Sequence, residues 1–568
     1  MTDALPTATL FGLLFLVLAA SAALALVGSW FVLWRYRRSV ARAMSAIGIG
    51  ARPAAPDVTA ALDCDSTECT EHLRVDADAL YRGAAKAPIL AAACAGIAGL
   101  AYALVLASAY VLAFPVARTP LRFALTLWIH LWPVVLAAAF TAPRFVRWIA
   151  VGATAYFMPF VVGALALMLF PEPPPASVEA ALQAAFDTVT PRMMLVFWLT
   201  FAGLPSGLLL LFLNPRLRAV SPLLLAFGMI TMLGFVAFWF GLYTAPIKGA
   251  VLGLAGGLSS RSSAVALLVA LALLGITAAA VCAWLVLGWI RRAYVEKWVS
   301  DRSLALDAFW IFFAAYFSMQ FALQGPAWLL SGVLAFVAYR STLAAVGARF
   351  HRRRGSAAGC GLTFLRVFSL GPKSNALFGA LAAHWRWIGS LQLITGPDVT
   401  HSTVQPHQLL DFLSGRLASH FIGDRASLQR RLALLDRAPD RDGWYRINNF
   451  FCHADSWQGV VAELVRAGDV VLMDLRSFAA GNAGCQHELR HLIESVPLAR
   501  CVFIVDRSTD LAHLRATIDA AWAALGPDSP NRNQKPEALE LHAFDDSPAA
   551  MDRLLQRLCV AASSRTGA

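Results

Sequence analysis

The chain has 568 residues, of which 58% are hydrophobic and 14% are charged. Soluble globular proteins are about 25% charged, so this composition excludes an ordinary soluble protein and predicts an integral membrane protein. The net charge of +12 does not predict nucleic-acid binding, because basic residues are expected to gather at the cytoplasmic ends of membrane spans. The nine cysteines are scattered without a CxxC pair, so neither a disulfide framework nor a metal site is expected.

The first long apolar run covers residues 10–34 and is long enough to cross a bilayer. It has neither the basic segment nor the small-residue cleavage site of a signal peptide, so we predict a retained span. Residues 35–87 are predicted to form a cytoplasmic loop, of which residues 43–87 are expected to have little structure of their own. The N-terminus is predicted to lie outside, because four arginines follow the span directly: Arg35, Arg37, Arg38 and Arg42.

Eight further spans are predicted, which gives about nine transmembrane helices within residues 1–345. They cover residues 88–114, 123–142, 149–170, 194–213, 223–245, 265–290, 307–323 and 326–342. Basic clusters alternate between the two sides across all nine spans, as the positive-inside rule requires. The C-terminal region is therefore predicted to be cytoplasmic, linked to the last span by the basic segment 346–359. The alanine- and arginine-rich composition favours a bacterial inner membrane.

The interiors of the predicted spans contain no Asp, Glu, Lys or Arg, and His130 is the one ionisable side chain deep within a run. Ion and proton paths need such groups, and no pair of Gly/Pro-broken helices repeats between two halves. A transporter is therefore less favoured than a membrane anchor or sensor. His130 is expected to be a neutral imidazole that bonds to a neighbouring helix. A pocket for a lipid or an apolar ligand stays open as an alternative.

Short apolar runs alternate with helical patterns in residues 360–568. Six strands are predicted, at 362–369, 390–395, 444–451, 470–475, 501–506 and 538–544. Strands that alternate with helices predict an α/β domain with a parallel sheet covered on both faces. Right-handed crossovers favour a flavodoxin-like, doubly wound strand order.

Residues that follow parallel strands gather at one edge of the sheet, where α/β domains bind ligands. Gly371, Lys373 and Ser374 follow the first strand at the start of a helix. Free backbone N–H groups and the lysine charge suit an anion there, although a plain helix cap explains the same residues. Asp398 follows the second strand and is either a site residue or the cap of a turn.

The central strand, 470–475, leads through a loop of small residues into a helix. Asp474, Arg476 and Asn482 are candidate ligand-binding residues at this strand end and in this loop. The helix begins Gly484-Cys-Gln-His-Glu-Leu. This run resembles the pattern of TIR (Toll/interleukin-1 receptor) domains, in which a strand and a serine-rich loop lead into a helix that begins Trp-Cys-x-x-Glu-Leu. The order of elements over about 360–562 is also similar.

In the TIR domains that cleave NAD, the glutamate of this motif is catalytic, so the resemblance implies Glu488 as catalytic residue and NAD as substrate. The chain departs from the family where Gly484 replaces the usual tryptophan. Residues 399–450 also form a large insert after the second strand, and the opening strand lacks the usual acidic start. The chain is in these respects closer to a TIR-like branch of bacterial membrane proteins.

Chemistry gives Glu488 two interpretations. Cleavage of the nicotinamide–ribose bond passes through an oxocarbenium-like state, which a carboxylate near the ribose stabilises. Alternatively, an acidic residue in a first helical turn simply interacts favourably with the helix dipole. The leading hypothesis is a signalling or defence effector that binds and hydrolyses NAD or a related nucleotide. The alternative is a non-enzymatic, membrane-anchored module that senses the bilayer and self-associates through its TIR-like domain.

Overall fold

The structure is a computed structural model. Its described residues are 7–45, 76–114, 119–141, 145–169, 220–242, 261–321, 324–354, 359–367, 372–395, 404–453 and 456–564, with a few more between 195 and 207 and at 249 and 253. The chain divides into two compact units. The first combines Met1–Phe31 with Pro88–Arg353, and the second combines Val32–Ala87 with Arg354–Ala568.

Long helices dominate the residues before 355. Those described are α1 (Thr7–Ser45), α2 (Ala77–Ala113), α3 (Pro120–Thr141), α4 (Phe145–Leu169), α5 (Ser221–Leu242), α6 (Arg261–Val295), α7 (Asp301–Phe321) and α8 (Leu330–Arg354). Seven candidate spans lie among the described residues, one in each of α1–α3 and α5–α8, and each is long and apolar enough to cross a membrane. A multi-pass membrane region is thus supported. The count of nine stays a prediction, because residues 194–213 lie mostly outside the described part of the chain.

The core of the first unit forms around α7, whose aromatic side chains Trp310, Phe313 and Phe317 are buried. His130 is also buried, and its ring lies 4.4 Å from that of Phe317. Its Nδ1 atom lies 2.7 Å from the carbonyl oxygen of Thr126, one turn earlier in α3. The predicted bond to a neighbouring helix is therefore replaced by a bond within the same helix.

One ion pair lies between two membrane helices. The guanidinium of Arg340 in α8 donates to both carboxylate oxygens of Asp307 in α7, at 3.2 and 3.1 Å. The two residues lie at the ends of the predicted spans 307–323 and 326–342, and the helices extend past both of them. Pairing removes much of the cost of placing these charges near the bilayer.

The second unit contains a seven-stranded parallel sheet. The strands are β1 (Leu362–Arg366), β2 (Leu391–Ile394), β3 (Phe421–Ile422), β4 (Ile447–Cys452), β5 (Val470–Asp474), β6 (Cys501–Val505) and β7 (Leu541–Ala543). All residues of β1, β2, β4 and β5 are buried. Strands covered on both faces read as continuous apolar runs, which is why six of the seven could be predicted from the sequence.

Helices connect these strands. They are α9 (Pro372–Trp385), α10 (Pro406–Leu413), α11 (Arg425–Ala433), α12 (Trp457–Ala467), α13 (Ala483–Ser495), α14 (Leu511–Ala523) and α15 (Pro548–Ser563). The sequence pattern predicts one helix over residues 407–421, and this prediction is wrong in its second half. Gly415 has a φ of 75°, which ends α10, and a 3₁₀ turn and β3 follow. Ser456 takes the N-cap position of α12 that its residue type predicts, but its hydroxyl donates to the carbonyl oxygen of Ile422 and accepts no hydrogen bond from the first turn of the helix.

The strand order is β3-β4-β2-β1-β5-β6-β7, and all pairs are parallel. The predicted parallel sheet is confirmed. The order β2-β1-β5-β6-β7 within it matches a flavodoxin-like arrangement, but β4 and β3 extend the sheet beyond β2. Residues 399–450 are therefore not a separate insert, since they supply β3 and most of β4. Apart from the two-residue β3, the order is the 3-2-1-4-5-6 of other doubly wound sheets.

The C-terminal end of α1 belongs to the second unit and continues as a helix to Ser45. Tyr36 and Val40 are fully buried there, and the ring of Tyr36 meets that of Phe412 in α10 edge-on at 5.3 Å. The imidazole Nδ1 of His453 donates to the carbonyl oxygen of Ala43 at 2.9 Å. The predicted loop at 35–87 is therefore helical up to Ser45, because residues four apart form one buried helix face, and it is helical again from Ala77. Residues 46–75 lie outside the described part.

Candidate functional site

The site is the edge of the sheet at which β1 and β5 end. These strands are neighbours in register, with Arg366 beside Asp474. The chain leaves β1 towards β2 on one side and leaves β5 towards β6 on the other. This is the topological switch point, where open α/β sheets leave a crevice for a ligand.

Asp474 and Arg476 form a buried ion pair at this point. The guanidinium Nε and Nη2 atoms donate to the two carboxylate oxygens at 2.9 Å each, and both side chains are 0% exposed. Bidentate arginine–carboxylate pairs are strong and directional. The two residues predicted to bind a ligand therefore bind each other in this structure.

Arg476 also ties together the loops around the switch point. Its Nη1 atom donates to Asp546, after β7, at 2.8 Å, and its Nη2 atom donates to the carbonyl oxygen of Lys373 at 3.3 Å. Ser477 and Asp546 have φ values of 56° and 58°, a left-handed conformation that is rare outside glycine. Such backbone conformations persist where surrounding contacts impose them, and they are frequent at functional sites.

Lys373 lies at the mouth of this edge, with its side chain 57% exposed. Its ammonium nitrogen is 3.8 Å from a carboxylate oxygen of Asp506, the residue after β6. Partial burial opposes ionisation of Asp506, but hydrogen bonds from Ser508 and the charge of Lys373 outweigh it and lower the pKa of this carboxyl group. The hydroxyls of Ser508 and Ser477 lie 2.7 Å apart.

Ser374 lies in the first turn of α9, next to Lys373. It is fully buried, and its hydroxyl has no hydrogen-bond partner among the described residues. The first backbone N–H groups of a helix also lack intrahelical partners. An unsatisfied hydroxyl, free N–H groups and a lysine therefore meet at this helix start, which suits a phosphate or carboxylate. Gly371 and Asp398 lie outside the described residues.

Asn482 caps the loop before α13. Its side-chain oxygen accepts a hydrogen bond from the backbone N–H of Ala479 at 2.9 Å, which closes the loop of small residues after β5. Beside the start of α13, a Cβ atom at Gly484 would lie in ordinary van der Waals contact with the ring of Trp457 from α12, at 3.6 Å.

Glu488 faces the interior from α13 and is only 2% exposed. Its Oε2 atom has no hydrogen-bond partner among the described residues. Burial raises the pKa of the Glu488 carboxyl group to about 8, although the charge of Arg366 at the end of β1 lowers it in part. Burial also raises the pKa of the Cys485 thiol, so the thiol is protonated and not activated as a nucleophile.

The structure thus brings Lys373, Ser374, Asp474 and Arg476 to one edge, with Asn482 in an adjoining loop and Glu488 behind the edge in the core. Sequence reasoning missed Arg366, Asp506 and Asp546. Asp506 and Asp546 follow strands, so the rule that found Asp398 could have found them as well. A lone arginine in an apolar strand also signals a buried, compensated charge. Among the described residues, no group of three His, Cys, Asp or Glu side chains could hold a metal ion.

No protein-family model, no curated protein and no solved structure matches this chain. The TIR resemblance stays a prediction from the motif at 484–489.

Proposed function

We propose that the chain is a multi-pass protein of a bacterial inner membrane, with about nine spans, whose cytoplasmic α/β domain binds a nucleotide such as NAD. The observation that supports this best is the start of α9 at the switch point, where Lys373 lies beside the buried hydroxyl of Ser374. Dinucleotides bind at the switch point of doubly wound sheets, with their phosphates at a helix N-terminus.

The more specific form of the proposal is that the domain is TIR-like and acts in signalling or defence. Glu488 is then the residue that catalyses the cleavage of NAD. Stabilising an oxocarbenium-like state requires an ionised carboxylate close to the ribose. The buried carboxyl group of Glu488, with a pKa of about 8, meets neither condition in this conformation. Cleavage therefore requires a rearrangement that exposes Glu488, whereas binding at Lys373 requires none.

The burial of Glu488 favours a second candidate function, a non-enzymatic module anchored in the lipid bilayer. In that case nucleotide binding, or self-association of the domain, is itself the signal. The two candidates share the membrane region and differ only in whether NAD is turned over.

Calorimetry on the full chain in detergent, with NAD and with ATP, tests the binding proposal. Lys373→Gln is expected to weaken binding about tenfold or more, since a hydrogen bond to a charged group contributes roughly 1.5–3 kcal/mol. Lys535→Gln is the matched control, because Lys535 is exposed in the same domain and lies after α14, away from α9. Equal affinities of the two variants, or no heat with either nucleotide, would contradict the proposal.

Turnover of NAD by the same preparations separates the two candidates. Release of nicotinamide by the wild type and its loss in Glu488→Gln would support the enzyme. Binding without turnover would support the non-enzymatic module. Turnover that persists in Glu488→Gln would remove this residue from the mechanism.

A further inference from the structure

A groove lined by three arginines and a tryptophan lies on the C-terminal end of α1. Its lining residues are Trp34, Arg35, Arg38 and Arg42, and its volume is about 270 Å³. All four are exposed. They follow the last residues of the apolar run, so the groove begins where the hydrocarbon of a bilayer would end.

The arginines of this groove form no ion pair within the part of the chain that the structure describes. Among the described residues no acidic side chain pairs with Arg35, Arg38 or Arg42, whereas Arg416, Arg446 and Arg476 of the same unit all contact aspartates. The guanidinium of Arg38 lies over the ring of Trp34, 5.3 Å from its centre, and the Nε of Arg42 donates to the carbonyl oxygen of Arg38. The stacking contact limits the rotamers of Arg38 before any ligand binds.

The opposite face of this helix segment is fixed. Tyr36 and Val40 are fully buried, and Tyr36 packs on Phe412. The segment can therefore not rotate to hide its arginines without breaking these contacts. A row of exposed guanidinium groups beside an interfacial tryptophan suits an anion that is present at the membrane surface.

We propose that this groove binds the phosphate headgroup of an anionic phospholipid. Guanidinium groups bind phosphate oxygens with paired N–H donors, and tryptophan side chains favour the headgroup region, so the lining residues suit both parts of such a lipid. The site is independent of nucleotide binding at the sheet edge. It differs from general attraction to a charged surface because it depends on particular arginines.

Native mass spectrometry of the full chain, released from a neutral detergent, tests the site. The protein is offered phosphatidylglycerol and phosphatidylcholine with the same acyl chains, so that no bilayer surface potential acts. Wild-type protein is expected to retain phosphatidylglycerol preferentially. Arg38→Gln is expected to lower this retention roughly tenfold, as for the loss of charge-assisted hydrogen bonds. Arg37→Gln removes the same charge from the adjacent, exposed position outside the groove and is expected to change retention less than twofold.

Arg38→Lys provides a second variant with the charge preserved, and it is expected to bind phosphatidylglycerol with intermediate strength because a lysine lacks the paired donors. Equal losses in Arg37→Gln and Arg38→Gln would overturn the proposal, as would equal retention of the two lipids by the wild type. Calorimetry with inorganic phosphate on delipidated protein distinguishes the source of the anion. Saturable binding of free phosphate that is lost in Arg38→Gln would assign the groove to a soluble anion and overturn the lipid site.

Discussion

In the membrane helices, several buried hydroxyl groups bond to their own helix, whereas in the α/β domain several buried polar side chains bond to residues far away in the sequence. Ser21 donates to the carbonyl oxygen of Val17, and Thr126 to that of Arg122, both at 2.7 Å. In the α/β domain, Arg476 reaches Asp546, and Asn531 donates to the carbonyl oxygens of Ile493 and Val496. Longer side chains bond to residues more distant in this region, as when the indole of Trp132 donates to Ser206.

The difference follows from how polar groups are satisfied in each region. Helices in lipid satisfy their backbone internally, and a hydroxyl that bonds to the preceding turn adds no demand on a neighbour. A parallel sheet must instead hold long loops at its edges, and a loop is fixed only by bonds to residues distant in the chain. Long-range polar bonds in this protein therefore fix loops, including the loops around the candidate site that Arg476 joins, and their removal there should be costly.

Arg476→Met is expected to have the largest effect. The substitution leaves the Asp474 carboxylate buried without its partner, and breaking one side of a buried pair costs about 3–5 kcal/mol. The measurement is the urea midpoint of the α/β transition in the full chain, followed by tryptophan fluorescence. Arg515→Met, at an exposed position of α14, is the control and should change the free energy of unfolding by less than about 0.5 kcal/mol.

The double variant Asp474→Leu/Arg476→Met sharpens this result. Removing both charges removes the unpaired buried group, so the double variant is expected to be more stable than Arg476→Met alone. A double variant that is less stable than Arg476→Met would show that Asp474 stabilises the folded loops even without its arginine partner.

Glu488 is expected to give a smaller effect that depends on pH. Its folded-state pKa, about 8, lies above the ordinary value of 4.5, so the folded protein keeps a proton that the unfolded chain loses. The free energy of unfolding should therefore fall as the pH rises from about 5 to 8, by on the order of 3 kcal/mol. Glu488→Gln cannot titrate, so its stability should fall less over the same range. Parallel pH profiles of the two proteins would contradict the burial of this carboxyl group.

Ser21→Ala is expected to have the smallest effect, because the Val17 carbonyl oxygen keeps its backbone bond within α1. The expected cost is about 0.5 kcal/mol or less. Unfolding of the full chain by SDS in mixed micelles would measure it. A loss above about 2 kcal/mol would show that membrane hydroxyls stabilise contacts between helices, and the contrast between the two regions would then fail.

The sequence predicts those parts of the fold that repeat a local pattern. The apolar runs at 362–369 and 470–475 predicted β1 and β5, because strands buried on both faces have little polar character. The two residues of β3 have no detectable period, and Phe421 falls at the end of the helix predicted over 407–421. The position of β4 beside β2 depends on pairing between residues far apart in the chain, which no local pattern encodes.

The candidate site shows the same limit. Lys373 and Ser374 could be placed at the sheet edge because the edge follows from topology alone. The inward orientation of Glu488 could not be predicted in the same way. The sequence alone does not show which face of the helix after the loop packs against the sheet. Tyr36 and Val40 did carry a signal, because an aromatic and a β-branched residue four positions apart lie on one helix face. The four nearby arginines, by contrast, predict only where the first span ends and on which side of the membrane.

The outermost strands of the sheet, β3 and β7, contain only two and three residues. An edge strand has unpaired N–H and C=O groups that can pair with a strand of another molecule, and a short edge strand has few of them. Proteins confined to a bilayer collide often, so long edge strands would favour sheet pairing between copies and fibre formation. Copies of this chain are accordingly expected to associate through helices or loops, where contacts can be reversed, rather than by joining their sheets.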